Sequence, residues 1–268
     1  CAFDAQTGIA KLVYAFDDGP ELIETVTVPG APFVLDEARA AAAERALRLL
    51  HLIAGVSYYK AAVPPTIAID SYAIDADTAA LLETVYLNGL GEFAYRNGLD
   101  LHGRIRFPVG ATQVAMSAAE IGLHEHALVA IGGGKDSLVS IEALRGIGIE
   151  QTVTWIGGSQ LIKACAERTG LPTLNLGRQL APELFEYNRL GAWNGHIPVT
   201  AVNSAILVFA AVLLGADQVV FSNERSASYG SFIEGTGEVN HQWSKGWAFE
   251  QVFGDHVQRR IAADLKYY

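Results

Sequence analysis

The residues of this sequence best suited to chemistry are three glycines followed by a lysine, an aspartate and a serine, at positions 132–137. Residues 127–131 form an apolar run typical of a buried strand, and residues 138–145 carry apolar side chains at helical spacing. A joint of this kind directs several backbone N–H groups at one point near the positive end of a helix. Lys135 adds a positive charge and Ser137 a hydroxyl. The pattern predicts a phosphate-binding loop.

Two common phosphate motifs fit this loop less well. The P-loop of NTPases ends in Gly-Lys-Ser/Thr, whereas Asp136 separates Lys135 from Ser137 here. The dinucleotide fingerprint needs a glycine where this sequence has Ser137. The loop instead resembles the S-G-G-x-D-S loop of the PP-loop ATP pyrophosphatases, with Gly132 in place of the first serine. That resemblance implies ATP as cofactor, cleaved to AMP and pyrophosphate. From the residues alone, a glycine-rich turn that only packs a strand on a helix is the alternative.

The composition limits the classes of function. The 268 residues are 50% hydrophobic and 18% charged, so a large core is expected and disorder is not. A formal net charge of −10 argues against nucleic acid as the main partner. Two distant cysteines indicate neither a disulfide framework nor a zinc site. We find no signal peptide or membrane-spanning pattern, and expect a cytoplasmic protein without a membrane partner. The sequence opens without methionine and ends in a stretch we predict to be helical, so we expect a longer natural polypeptide.

Strand and helix patterns alternate from residue 127 onward. The predicted strands are 127–131, 152–156, 173–176 and 218–221, and the predicted helices are 138–145, 158–168 and 197–214. Such alternation is typical of a parallel sheet with helices on both faces, whose ligands bind beyond the carboxyl ends of the strands. We therefore predict an α/β catalytic domain over residues 124–268. By the PP-loop resemblance, Trp155, Ile156 and Gly157 would contact adenine.

The first part of the chain has α+β character, and we predict a smaller N-terminal domain over residues 1–123. Its predicted elements are a hairpin at 11–16 and 22–28 around a turn at 17–20, helices at 35–53 and 76–96, and a strand at 66–69. Tyr59 and Lys60, just past the first helix, are candidates for contacts with a sugar or base of a substrate. Packing of a helix end is the alternative.

Two polar clusters flank the predicted helix at 197–214. Asn194, His196 and Thr200 lie near its N-terminus, where anions are stabilised, and His196 could act as a base or bind phosphate. A histidine bonded only to backbone is the alternative. After the strand at 218–221, Glu224 could hold Mg²⁺, which prefers one or two carboxylates plus substrate oxygens. Arg225 could bind a carboxylate or phosphate through two hydrogen bonds, or pair with Glu224 on the surface. Further substrate-binding candidates in this cluster are Asn223, Ser226 and Ser228.

A third polar cluster, residues 235–247, contains glycines and two tryptophans and could close over a substrate. Its alternative is a surface loop anchored by aromatic side chains. The candidates here are His241 and Lys245 for catalysis, and Asn240, Trp243 and Ser244 for substrate binding.

Taken together, these clusters resemble one PP-loop relative, the MurL family of UDP-N-acetyl-α-muramoyl-L-alanyl-L-glutamate epimerases of bacterial cell-wall synthesis. The resemblance extends to residues 14–21 and 57–60 and so covers most of the chain. It implies an isomerase that uses ATP and Mg²⁺ to convert the terminal L-Glu of UDP-N-acetylmuramoyl-L-Ala-L-Glu to D-Glu. The ligase that adds L-Glu would then be its functional partner. Under the same resemblance, Asp136 and Glu224 are the metal candidates.

Adenylation would explain an ATP pyrophosphatase loop in an epimerase. Removing the α-proton beside a free carboxylate builds a dianion, whereas an acyl-adenylate lacks the carboxylate charge and can accept the electron pair. His196, His241 and Lys245 are the candidates for moving that proton, and the sequence does not rank them.

Other classes of function stay open. Another PP-loop adenylating enzyme is one, either an amide ligase or a tRNA-modifying thiolase, although a single cysteine near the predicted site, Cys165, and a net charge of −10 disfavour the thiolase. A non-catalytic sensor of ATP or AMP is another, against which the several polar clusters argue. The sequence does not indicate the oligomeric state.

Overall fold

The computed structural model describes residues 1–17, 19–110, 117–233 and 237–268. Asp18 of the predicted turn and Gly235 and Thr236 of the third polar cluster lie outside these ranges. The strands are β1 (Ala2–Asp4), β2 (Ile9–Tyr14), β3 (Leu22–Thr27), β4 (His124–Ala130), β5 (Gln151–Ile156), β6 (Thr173–Gln179), β7 (Ala216–Val220), β8 (Ser231–Ile233), β9 (Gly237–Val239) and β10 (Lys266–Tyr267). The α-helices are α1 (Glu37–Ala54), α2 (Val56–Ala62), α3 (Ala76–Gly89), α4 (Gly91–Asn97), α5 (Lys135–Gly146), α6 (Gln160–Glu167), α7 (Pro182–Arg189), α8 (Val199–Leu214) and α9 (Trp247–Arg260).

The central element is an eight-stranded sheet with the order β1-β2-β3-β6-β5-β4-β7-β10. The five strands from β6 to β10 in this order run parallel, as the alternating pattern predicted. Strands β1, β2 and β3 extend the sheet in antiparallel fashion through the edge of β6, and they include the predicted hairpin. The sheet is therefore mixed, which corrects the expected purely parallel sheet. The three N-terminal strands make the sheet mixed because β3 pairs in antiparallel orientation with β6, at the edge of the parallel strands.

Helices cover both faces of the sheet. On one face α8 packs between the sheet and α1, and side chains such as Leu50, Ile206 and Phe209 are fully buried there. This position explains why α8 is apolar on all sides. On the other face α5 and α6 bury Ile141 and Ala166 against β4, β5 and β7. Helices α7 and α9 were not predicted from the sequence.

The sheet and the larger core are continuous across residue 123. Strand β3 pairs with β6, and α1 packs against α8. The division into an N-terminal domain over 1–123 and a catalytic domain over 124–268 stays a prediction. The N-terminal strands and helix α1 lie directly against the parallel strands and helix α8.

Three predicted elements differ from the observed ones. Residues 66–69 form no strand, and Ile67 and Ile69 pack on the core from an irregular segment that follows two prolines. The helix predicted over 76–96 is divided into α3 and α4 at Leu90. The final residues, expected to be helical, pair with β7 as β10, and the Tyr267 ring packs on Phe253. No helix within the described ranges has the length and apolar character needed to cross a membrane.

Candidate active site

Two adjoining cavities lie beyond the carboxyl ends of the parallel strands. Strand β4 has β5 on one side and β7 on the other, so the strand order reverses there, which is the usual place for a ligand in an open α/β sheet. The first cavity, about 250 Å³, is lined by Ala130, Ile131, Gly132, Gly134, Asp136, Ser137, Thr154, Trp155, Ile156, Thr200, Asn203, Leu207, Phe221, Ser222, Asn223 and Lys245. The second, about 340 Å³, is lined by His196, Val199, Thr200, Asn203, His241, Gln242, Ser244 and Lys245.

The glycine loop (residues 132–137) joins β4 to α5 at the first cavity. Gly133 has a φ of +84°, a backbone conformation that favours glycine. The Ser137 hydroxyl donates to the Gly134 carbonyl over 3.0 Å, and no side chain caps the N-terminus of α5. A Cβ at Gly132 or Gly134 would meet no atom within 4 Å. The first N–H groups of α5 therefore open onto free space, as a phosphate site requires.

The polar side chains of the glycine loop differ in position. Asp136 and Ser137 line the first cavity, whereas the Lys135 side chain is 82% exposed. Lys135 Nζ lies 3.9 Å from a carboxylate oxygen of Glu224. The structure thus brings the predicted phosphate ligand and one predicted metal ligand together, although neither side chain lines the first cavity. An exposed ion pair at this distance contributes little to stability, so both groups are available to a ligand.

The two metal candidates lie in different positions. Asp136 lines the first cavity, and Glu224 follows Asn223, which also lines it. Glu224 accepts a hydrogen bond from the Ser226 hydroxyl over 3.1 Å. Within the described ranges no group of three or more His, Cys, Asp or Glu could hold a metal ion by itself. Magnesium bound beside a triphosphate takes only one or two carboxylates and draws its other oxygens from phosphate and water, so this pair fits that role.

The predicted adenine contacts are divided between the cavity wall and the core. Trp155 and Ile156 line the first cavity, although the Trp155 ring is also part of the core beneath α5 and α6. Gly157 does not line it; its φ is +88°, and its N–H donates to the Leu176 carbonyl over 3.0 Å. Gly157 thus fixes the turn at the end of β5.

The second cavity gathers the three side chains that the sequence offered for proton transfer. The rings of His196 and His241 meet edge to face, with 5.7 Å between centroids and 84° between planes. Lys245 and the buried Ser244 also line this cavity. His196 comes from the connecting loop (residues 190–198) between α7 and α8. Ser244 and Lys245 come from a 3₁₀ turn before α9, and His241 lies just ahead of that turn. Residues 45 positions apart are thus in contact.

Helices α2, α3 and α4 hold the connecting loop in place. The buried Lys60 donates from Nζ to Asn194 Oδ1 over 2.7 Å. Burial lowers the pKa of Lys60. A Cβ on Gly195 would lie 2.9 Å from the Phe93 ring, and one on Gly89 would lie 2.4 Å from Pro198. These contacts fix the loop just before it delivers His196 to the cavity.

Lys60 and Tyr59 were predicted to bind substrate, and neither lines a cavity. Tyr59 is only 5% exposed and packs against Tyr86, with 5.6 Å between ring centroids. Lys60 is buried and donates to Asn194, which is itself exposed. The described contacts therefore support the alternative of helix packing, and a role in substrate binding stays a prediction.

The other predicted substrate residues mostly support the segment that carries His241 and Lys245. The Ser228 hydroxyl accepts from the Trp247 N–H over 3.2 Å, and Asn240 donates to the Ala227 carbonyl over 2.9 Å. Trp243 packs on Phe249. Arg225 and Ser226 are exposed on a 3₁₀ turn. None of these predicted residues lines either cavity.

Sequence reasoning missed several residues of the cavities. The polar ones are Thr154, Asn203, Ser222 and Gln242. Asn203 lies three positions after Thr200 on α8, and helical spacing would have placed both on one face. Ser222 donates to the Ser140 hydroxyl over 2.8 Å, which joins the end of β7 to α5.

The structure is an α/β fold with two adjoining cavities at the point where its parallel strands reverse order. The MurL N-terminal domain family model matches residues 1–268, and the chain belongs to that family. A relative from Xanthomonas oryzae pv. oryzae (strain MAFF 311018) is 79% identical over 268 residues, which is all of this chain and 59% of the relative.

Two further relatives carry the same name as the Xanthomonas protein, UDP-N-acetyl-alpha-D-muramoyl-L-alanyl-L-glutamate epimerase. The one from Salinispora tropica is 42% identical over 270 residues, covering all of this chain and 59% of the relative. The one from Micromonospora sp. is 42% identical over 250 residues, covering 91% and 55%. The chain thus spans less than two thirds of the length of each of these relatives. No solved structure matches it.

Proposed function

We propose that this chain provides the ATP site and the proton-transfer site of an epimerase. Its substrate would be UDP-N-acetylmuramoyl-L-Ala-L-Glu, and its product the D-Glu epimer. The observation that carries the proposal is the shared boundary of the two cavities, one with a phosphate-binding loop and one with two histidines and a lysine. The names of the relatives supply the substrate class.

The first cavity is the proposed ATP site, in a domain of the PP-loop type. Five parallel strands with the glycine loop after the first of them in the chain support this fold assignment. The free N–H groups at the start of α5 would hold phosphate oxygens, and Lys135 would turn toward them from Glu224. Asp136 and Glu224 would hold Mg²⁺. Bound ATP would supply an adenylyl group that removes the charge of the glutamate α-carboxylate.

The second cavity is the proposed site of the glutamate α-carbon. The two imidazoles and Lys245 can each accept or donate a proton, and epimerisation needs one proton removed and one returned on the opposite face. The histidine rings contact each other, so both lie on the same side of any substrate unless one ring moves. We therefore assign the histidine pair to one face of the α-carbon and Lys245 to the other.

The proposal is tested by following pyrophosphate and product mass in D₂O. This chain, and separately the longer Xanthomonas relative, are incubated with the UDP-linked dipeptide, ATP and Mg²⁺. Substrate-dependent pyrophosphate, one deuterium in the glutamate and a D-configured product are expected. Pyrophosphate release without deuterium in the glutamate would indicate an amide ligase or another adenylating enzyme instead of an epimerase. Nucleotide binding without pyrophosphate release by either protein would favour a non-catalytic nucleotide sensor.

The exposed lysine of the glycine loop gives a sharp variant. Lys135→Ala should reduce pyrophosphate release by about 10²-fold or more, because it removes a charge that stabilises the transferring phosphates. The melting temperature should not change, since the side chain is 82% exposed. Lys163→Ala is the matched control, because Lys163 is also exposed and also faces a glutamate, on α6. Equal rates for the two variants would contradict the role of Lys135.

A further inference from the structure

The two cavities are separated by a wall of three residues. Thr200, Asn203 and Lys245 line both of them. Thr200 and Asn203 are successive residues on one face of α8, and Lys245 comes from the 3₁₀ turn opposite. An acyl group that is activated in the first cavity and deprotonated in the second must lie against this wall.

Asn203 lies within helix α8, and buried neighbours hold its backbone in place. Its neighbours Val202 and Ser204 are fully buried, and the Ser204 hydroxyl is engaged with Thr200 and Tyr267. Lys245 is exposed on a short turn, and its long side chain has many conformations. Asn203 is half-buried, and its amide makes no hydrogen bond to any residue that the structure describes. An amide with a free N–H therefore lines both cavities, on a helix whose backbone is held by the core.

We infer that Asn203 donates a hydrogen bond to the carbonyl oxygen of the activated glutamyl group as the α-proton leaves. This inference rests on the function proposed above. When the base takes the proton, the C–H electron pair forms a C=C bond and the carbonyl π pair moves onto oxygen, which gains negative charge. Returning the proton to the opposite face reverses these shifts. A donor that already lines the cavity on a rigid helix can stabilise this charge with little movement of the backbone.

The inference predicts that the two half-reactions respond differently to one substitution. Asn203→Ala should keep substrate-dependent exchange of ATP with pyrophosphate within about threefold of wild type. Deuterium incorporation at the α-carbon should fall by about 10²–10³-fold, the usual loss for one oxyanion donor. Deuterium incorporation by Asn203→Asp should fall at least as far, because a hydrogen-bond acceptor then faces the developing negative charge.

Asn88→Ala is the control variant, since Asn88 is a half-buried helical asparagine on α3, outside both cavities. It should match wild type in both assays, and thermal melting should show that every variant is folded. A parallel loss of both half-reactions in folded Asn203→Ala would overturn the inference, and so would retention of both. If wild type itself shows neither pyrophosphate exchange nor deuterium incorporation, the proposed function fails first, which separates the two failures.

Discussion

The glycine loop and the connecting loop line neighbouring cavities, but they are held in place in different ways. The glycine loop depends on its own residues, through the left-handed backbone of Gly133 and the bond from Ser137 to Gly134. The connecting loop depends on distant residues, and the bond from Lys60 to Asn194 spans 134 positions of sequence. The proposed phosphate site is thus encoded locally, whereas the position of His196 depends on the N-terminal helices.

This difference makes the two proposed half-reactions separable by substitution. Changes in the N-terminal helices should disturb the second cavity and spare the first. Changes within the glycine loop should do the reverse.

Acidification should weaken the N-terminal framework by the largest amount. Burial lowers the pKa of His51 on α1 to about 4, from an ordinary value of 6.5. In its neutral form His51 donates from Nε2 to the Val13 carbonyl and accepts at Nδ1 from the Tyr72 hydroxyl. Between pH 6.5 and 4, His51 binds a proton in the unfolded chain but stays neutral in the folded chain. The free energy of unfolding should therefore fall between pH 6.5 and 4, by about 3 kcal/mol from His51.

Urea unfolding at several pH values measures how the free energy of unfolding changes with pH. His51→Gln should make this change smaller, whereas His102→Gln should leave it unaltered, because the His102 side chain is 77% exposed. His256 on α9, whose pKa burial also lowers to about 4, adds a fall in the same direction in every variant. An unchanged slope in His51→Gln would contradict the assignment of a buried neutral ring.

Gly89→Ala should damage the connecting loop. The new Cβ would lie 2.4 Å from Cγ of Pro198, a contact that a rigid ring cannot relieve by rotation. Overpacking of this kind costs about 1–3 kcal/mol. Gly146→Ala is the control because Gly146 also ends a helix but its Cβ would meet nothing within 4 Å, so its stability should be unchanged or higher.

The same pair of variants tests the separation of half-reactions. In Gly89→Ala, deuterium incorporation at the α-carbon should fall more than ATP–pyrophosphate exchange, because His196 follows the displaced loop. Equal losses would mean that the connecting loop also shapes the proposed ATP site.

Much of the parallel sheet could be predicted because buried strands and helices leave local signals. The apolar run at 127–131 and the alternation after it depend on neighbouring residues only, and β4, β5, β6 and β7 followed. The division of the helix predicted at 76–96 was missed; it falls at Leu90, next to Gly89, which approaches Pro198 from a loop more than a hundred residues later. Likewise, β10 forms because an edge of β7 is open to it.

The residues of the candidate site show the same contrast between local sequence signals and tertiary contacts. Gly132, Asp136 and Ser137 were found because a phosphate loop is a short run of residues. Asn203 was missed because a polar residue within an apolar helix was attributed to a buried interior. Tyr59 and Lys60 were predicted to be ligand contacts because an aromatic and a basic side chain together suit a sugar or base, whereas tertiary contacts bury both.

Gly133→Ala should have the smallest effect on folding, and it tests whether the glycine loop is shaped by its own backbone. At a φ of +84° an alanine costs about 1 kcal/mol relative to glycine, since its Cβ crowds the neighbouring carbonyl. Gly134→Ala is the matched control, because Gly134 has an extended backbone and an open Cβ position. Without nucleotide, urea unfolding should show a loss of about 1 kcal/mol for the first variant and almost none for the second. Both should weaken ATP binding, because a methyl group at either position stands where phosphate would approach the backbone. Equal stability of the two variants would mean that contacts from outside the loop, rather than Gly133 itself, set its shape.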